Sequence, residues 1–257
     1  MDNAEIKNNS SPKIAIIGGT GLNQINKLEI ENREVVHTPY GRPSAPLIHG
    51  RINNTPIVFL ARHGSGHTIP PHKINYRANI WALKSANIDQ IIAIAAVGSM
   101  NNDMPTGAVV IPDQIIDYTS AREHTFFDGE GDDNNITHID FSYPYSQELR
   151  ETLLKAAKDA AILCHDGGTY GATQGPRLET AAEINRMDRD GCDLVGMTGM
   201  PEAALAKELD MEYASCAVVA NMAAGRGKKV LTMQDIEKNL VDGMDNIRKL
   251  ISHITVR

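Results

Sequence analysis

Short, continuously apolar runs punctuate the chain, and most of them stop at glycine, asparagine or a charged residue. Residues 13–17 form such a run and end in Gly18-Gly19-Thr20-Gly21, which predicts a buried strand breaking into a glycine-rich turn. Residues 56–61 repeat the pattern and stop at Arg62-His63-Gly64. Residues 91–97, as unbroken in their apolarity as a central strand should be, stop at Gly98-Ser99. Further strands are predicted over 108–111, 169–173, 193–197 and 213–220, the last ending at Asn221 before a Gly/Ala turn through Gly227. Helical spacing fills the intervals. Asn75 can cap a helix carrying Ile80, Trp81, Leu83 and Lys84, and residues 147–163, 180–189 and 234–251 form further helices. Pro201 opens another at its first turn, with Glu202 near the positive end of the dipole. Residues 128–135, acidic and rich in Gly and Asn, read as an exposed loop.

Strand and helix alternate without a composition break or an internal repeat. The expected fold is therefore a single α/β domain over residues 13–257, a mixed central sheet flanked by helices, with 1–12 as a flexible polar segment ahead of it. A hydrophobic fraction of 42% fits a globular core, and a net charge of −7 argues against general nucleic-acid binding, which draws on clustered basic residues. The three cysteines, Cys164, Cys192 and Cys216, form no CxxC pair and read as small apolar core residues in a reducing compartment. No apolar stretch approaches the roughly 20 residues that span a bilayer, and the start lacks a signal-peptide pattern. The expectation is a cytoplasmic protein with no membrane partner and no metal.

Polar chemistry gathers where the strands end, which is where open α/β sheets bind ligands. Glycines in Gly18-Gly19-Thr20-Gly21 let backbone amides approach an anion, and Thr20 adds a hydroxyl. Neither the dinucleotide fingerprint nor the Walker lysine is present: Gln24 stands where a third glycine belongs. Arg62 offers a planar fork for phosphate oxygens, and His63 beside it can donate a hydrogen bond or a proton. Gly175-Pro176-Arg177-Leu178-Glu179-Thr180 is a stiff turn followed by a carboxylate; Gly196-Met197-Thr198 closes a strand with a thioether and a hydroxyl; Asn221 carries a donor and an acceptor on one amide.

Taken in order, these segments, with Asn75-Tyr76-Arg77-Ala78-Asn79-Ile80-Trp81-Ala82-Leu83, Val97-Gly98-Ser99 and Pro201-Glu202-Ala203, resemble the methylthioadenosine phosphorylase and purine nucleoside phosphorylase family, most of all its methylthioinosine-cleaving members. The resemblance runs from about residue 13 to the C-terminus. It implies a nucleoside phosphorylase-like fold and a homotrimer. It implies phosphate contacts from Thr20, Arg62, His63 and Thr198, with backbone help at Ala95 and Ala96. Many relatives carry a hydroxyl or amide side chain where this chain has Ala95, so one phosphate hydrogen bond is missing here or comes from water. Met197 would lie under the ribose, with Leu178, Glu179, Asn221, Met222 and Ala223 around the base. His138 matches a residue that reaches into the neighbouring subunit's site. Inorganic phosphate is implied as a co-substrate, with no cofactor.

The residue types then point to a base. A 6-oxopurine offers an acceptor at O6 and a donor at N1, and gains a proton or strong hydrogen bond at N7 as it leaves. Asn221 can donate to O6 and accept from N7–H, and Glu179 can accept from N1–H, whereas adenine would present its unprotonated N1 to Glu179. Adenine-cleaving relatives carry aspartates where this chain has Asn221 and Ala223. Such a buried mismatch can discriminate by about 10⁴-fold. Inosine-cleaving relatives place a histidine near the 5′-hydroxyl; the resemblance matches that neighbourhood to residues 231–236, with Met233 nearest to the position, and its thioether suits a 5′-methylthio group. The expected activity is phosphorolysis of S-methyl-5′-thioinosine, a purine-salvage transferase reaction in which Asn221 and His63 act as catalytic residues. The alternatives are general inosine and guanosine phosphorolysis, methylthioadenosine phosphorolysis, a nucleoside hydrolase, a dehydrogenase and a non-catalytic nucleoside-binding protein.

Overall fold

The computed structural model describes residues 14–19, 28–53, 55–129, 137–227 and 233–254, with 233–238 and 242 as backbone only. In chain order the elements are β1 (Ile14–Gly18), β2 (Glu29–Glu34), β3 (Leu47–Ile52), β4 (Thr55–Ala61), α1 (Tyr76–Ser85), β5 (Gln90–Ser99), β6 (Val109–Ile111) and β7 (Gln114–Asp117). They continue with α2 (Gln147–Asp159), β8 (Cys164–Asp166), β9 (Thr169–Ala172), α3 (Ala181–Arg189), β10 (Leu194–Gly196), α4 (Glu202–Glu208), β11 (Glu212–Met222) and α5 (Met233–Ser252). The strands form one mixed sheet of order β2-β3-β4-β1-β5-β10-β9-β7, with β11 pairing β5 and β6, and β6 pairing β8.

The pleat sorts the apolar runs onto two faces. Ala15 and Ile17 of β1 join a core under α1 and α4 that includes Ile80, Leu83 and Leu205; Ile14 and Ile16 join the opposite core, with Leu149 and Leu153 of α2 and Leu240 and Ile247 of α5. The helix starts follow their capping chemistry. Asn75 accepts from the Ala78 amide at 3.0 Å, and Thr180 forms a reciprocal capping box with Glu183 at the head of α3. Pro201 occupies the cap position of α4 rather than its first turn. The helix expected over 147–163 stops at Asp159, because Ala161 turns to φ +54°.

Strands β2, β3, β7 and β8 have no counterpart in the sequence expectations. The first of these, Glu-Ile-Glu-Asn-Arg-Glu, is almost wholly exposed: its backbone pairs with β3 while its side chains face solvent, so no apolar period marks it. Most of the loop expected over 128–135 lies outside the described residues, as does the segment 1–12.

Strand β5 organises the site. One edge pairs with β11 along its whole length. The other pairs with β1 only through residues 90–93 and with β10 only at 98–99. Between them, no strand among the described residues pairs with residues 94–97 on this edge, which leaves a slot in the middle of the sheet. A bulge in β11 between Val219 and Asn221 sets Asn221 opposite Gly98, at the end of that slot. No helix among the described residues is long and apolar enough to cross a membrane.

Candidate active site

A cavity of about 1170 Å³ opens along this slot. The ends of β4, β5, β10 and β11 and the turns after β1 and β9 contribute its walls. Of the residues singled out in the sequence, Arg62, His63, Ala95, Ala96, Leu178, Glu179, Met197, Thr198, Asn221, Met222 and Ala223 all line it. Thr20 lies outside the described residues, and so does the side chain of Met233, which begins α5. His138 is exposed and does not line this cavity.

Arg62 follows β4 and is 1% exposed. Its Nε and Nη2 donate to the two carboxylate oxygens of Glu202 at 2.7 and 2.8 Å, and Nη1 donates to the Ile94 carbonyl on the open edge of β5 at 2.9 Å. Burial opposes the guanidinium's charge, but Glu202, itself 0% exposed, outweighs it and raises the Arg62 pKa. The Tyr213 hydroxyl donates to the same carboxylate at 2.9 Å. One edge of the fork is thus clamped, and Nη1 is turned to Gly19. A Cβ at Gly19 would stand 3.3 Å from Nη1 and 3.7 Å from the His63 ring, so the absent side chain keeps this space open. A cation, a histidine and a glycine meeting over open space can hold an anion.

The imidazole of His63 has one defined tautomer. Its Nδ1 lies 2.8 Å from the Ile69 carbonyl, an atom that only accepts, so Nδ1 carries the proton. Burial, with the Arg62 charge second, lowers the pKa of His63 to about 4. In neutral solution the ring is uncharged and its Nε2 is an acceptor. Toward the cavity this uncharged ring presents an acceptor, as for a protonated phosphate oxygen.

Further along the slot, Gly98 lets the amide of Asn221 approach: a Cβ there would meet Asn221 Nδ2 at 3.2 Å. That nitrogen donates one hydrogen to the Met222 carbonyl at 2.9 Å. Glu179 is half-buried, and its Oε1 accepts from the Thr173 hydroxyl at 2.7 Å. Met197 packs over the turn at Gly175, where a Cβ would stand 2.4 Å from the sulfur.

Three positioning residues escaped the sequence reading. Glu202 is more than a partner for the helix dipole: its place between Pro201 and a run of Ala and Leu signals a buried carboxylate, and its buried partner is Arg62. Thr173 gave no signal of its own. Nor did Arg122, which lies 8% exposed in an irregular segment. Its guanidinium donates to the carbonyls of Thr173 and Gln174 at 3.1 and 2.9 Å and to those of Met197 and Met200 at 2.9 and 2.6 Å. It thereby ties the turn that carries Glu179 to the one that carries Thr198. Among the described residues, no group of three or more His, Cys, Asp or Glu side chains is placed to hold a metal ion.

Comparison with known proteins agrees with this geometry. The family model described as the phosphorylase superfamily matches residues 13–255. A protein of Pseudomonas syringae pv. tomato named "Probable S-methyl-5′-thioinosine phosphorylase" is 52% identical over 240 residues, covering 93% of this chain and 97% of that one. The 6-oxopurine nucleoside phosphorylase of Pyrococcus furiosus is 48% identical over 243 residues, covering 93% and 91%. Among solved structures, methylthioadenosine phosphorylase from Schistosoma mansoni in complex with adenine superposes with a TM-score of 0.89 at 31% identity, over 95% of this chain and 90% of that one. The chain therefore belongs to the phosphorylase superfamily, as a pentosyltransferase of its nucleoside phosphorylase branch.

Proposed function

We propose that the protein cleaves the N-glycosidic bond of a 6-oxopurine nucleoside with inorganic phosphate, S-methyl-5′-thioinosine foremost, giving hypoxanthine and 5-methylthioribose 1-phosphate. The observation that carries this reading is the pairing, in one cavity, of an anion cradle at Gly19, Arg62 and His63 with Glu179 and Asn221. Phosphate sits under C1′, held by Nη1 of Arg62, the Thr198 hydroxyl and Thr20, with the backbone at Ala95 and Ala96 beside it. Nε2 of His63 accepts the hydrogen of monohydrogen phosphate. As the glycosidic bond stretches, positive charge grows on the ribose and the phosphate opposite stabilises it. Phosphate attacks the face away from the base and inverts C1′, so most of the rate comes from positioning and electrostatics. Met197 covers the ribose and Asn221 stabilises the departing base at N7, which gains a proton from solvent as the monohydrogen phosphate gives one up, so that neutral hypoxanthine and the dianionic sugar phosphate leave.

Relatives named for methylthioinosine and for 6-oxopurine substrates support the base assignment. The 5′ end rests on the Met233 correspondence. The same reading takes the protein as a cytoplasmic homotrimer in purine salvage, with His138 of one subunit completing a neighbour's site, and calls for no cofactor beyond phosphate as co-substrate. The test is base release from S-methyl-5′-thioinosine, inosine and 5′-methylthioadenosine, each with and without phosphate. Phosphate-dependent release led by methylthioinosine is expected. Faster release from methylthioadenosine would overturn the roles of Glu179 and Asn221, and release without phosphate would make the enzyme a hydrolase.

A further inference from the structure

The hydroxyl of Thr173 lies 2.7 Å from Oε1 of Glu179 and 3.3 Å from the Gly196 carbonyl. A hydroxyl has one hydrogen to give, and the Gly196 carbonyl already accepts from the Thr173 amide at 2.7 Å. The shorter contact takes the hydrogen, so Oε1 is occupied as an acceptor and Oε2 is left to a ligand. The neighbouring cation does not compete. Arg177, two residues before Glu179, is drawn away by a two-pronged ion pair with Glu183 at 2.7 and 2.8 Å. Among the described residues, Thr173 supplies the one side-chain hydrogen bond on the Glu179 carboxylate.

We propose that Thr173 sets base specificity, as a positioning residue whose hydroxyl fixes Glu179 so that Oε2 accepts a hydrogen bond from the ligand and offers none. This rests on the 6-oxopurine reading above. A ring N1–H of a 6-oxopurine satisfies that oxygen, and the N1 lone pair of a 6-aminopurine opposes it. Arg122 reinforces the arrangement, since it holds the Thr173 carbonyl at 3.1 Å and so the backbone from which the hydroxyl is presented.

The experiment compares wild type, Thr173→Val and Thr173→Ser in phosphate-dependent kcat/KM on S-methyl-5′-thioinosine and 5′-methylthioadenosine, with equilibrium binding of hypoxanthine and adenine as a second readout. Valine keeps the shape and removes the hydroxyl. The ratio of the two kcat/KM values should fall roughly tenfold or more in Thr173→Val, the scale of one hydrogen bond to a charged group. It should return to within about threefold of wild type in Thr173→Ser, with hypoxanthine affinity following the same order. A general loss of packing would lower both substrates together and leave the ratio unmoved. An unchanged ratio in a folded Thr173→Val overturns the inference while the 6-oxopurine reading stands. If Thr173→Val does not fold, Thr173→Ala is read by the same ratio. Wild-type protein that prefers the adenine nucleoside overturns the parent reading and this inference with it.

Discussion

Replacing Glu202 by glutamine removes a charge from the most deeply buried ion pair among the described residues and changes almost no volume. Arg62 and Glu202 are 1% and 0% exposed, and three hydrogen bonds converge on the carboxylate, two from the guanidinium and one from Tyr213. In the variant the Arg62 charge stays in the interior with an amide in place of its counter-ion, and one amide N–H₂ faces guanidinium hydrogens. Breaking a buried pair from one side costs about 3–5 kcal/mol, because the orphaned charge keeps its desolvation cost. For a chain of this size that corresponds to a fall of roughly 10 °C in Tm. Urea unfolding at fixed protein concentration gives the number, and Asp159→Asn provides an internal scale. That residue pairs with Lys155 at 2.7 Å with both side chains about half exposed, so solvent screens the pair and its loss should cost far less. The Michaelis constant for phosphate should also rise in Glu202→Gln, since the fork loses the clamp that turns Nη1 toward Gly19. If Glu202→Gln costs no more than Asp159→Asn, the buried pair does not organise this site and the reasoning fails.

Three other outcomes follow from the same geometry. Gly19→Ala puts a methyl 3.3 Å from Arg62 Nη1, so the Michaelis constant for phosphate should rise at least about tenfold, with little change in Tm; unchanged phosphate saturation would remove the glycine turn from the anion site. Gly243→Ala drives a methyl to 2.2 Å from Val218 Cγ1, where α5 rests on β11, and should cost about 1–3 kcal/mol in urea unfolding; a neutral variant would mean that this helix packs less closely than described. The folded-state pKa of His63 is lowered from 6.5 to about 4, so the unfolded chain binds the proton first and stability is lost as pH falls from about 6.5 toward 4. That loss amounts to at most about 3 kcal/mol. It should shrink in His63→Asn, and an identical pH slope in that variant would refute the assignment.

The pattern of apolar runs and caps was enough to place β1, β4, β5, β6, β9, β10 and β11, because a strand buried on both faces must be apolar at every position. It also placed the five α-helices among the described residues, with a capping asparagine marking the start of α1 and a capping threonine that of α3. Strands whose side chains meet solvent, such as β2, leave no such trace, since their stability lies in backbone pairing with β3. The site divided along the same line. Glycines and polar residues at the ends of the apolar runs, with the family resemblance, identified the cavity wall from Arg62 to Asn221. Only the tertiary structure decided what those side chains do. The slot in the sheet exists because neither β1 nor β10 pairs with residues 94–97 of β5 on that edge. The Arg62 fork is half consumed by a carboxylate 140 residues away. The hydrogen of His63 goes to the Ile69 carbonyl, and the carboxylate of Glu179 is held by a threonine that no motif contains. Orientation, protonation and hydrogen-bond occupancy depend on which groups are brought within about 3 Å of one another. A linear spacing can name the groups, but the distances between them arise only when the sheet has closed around the slot.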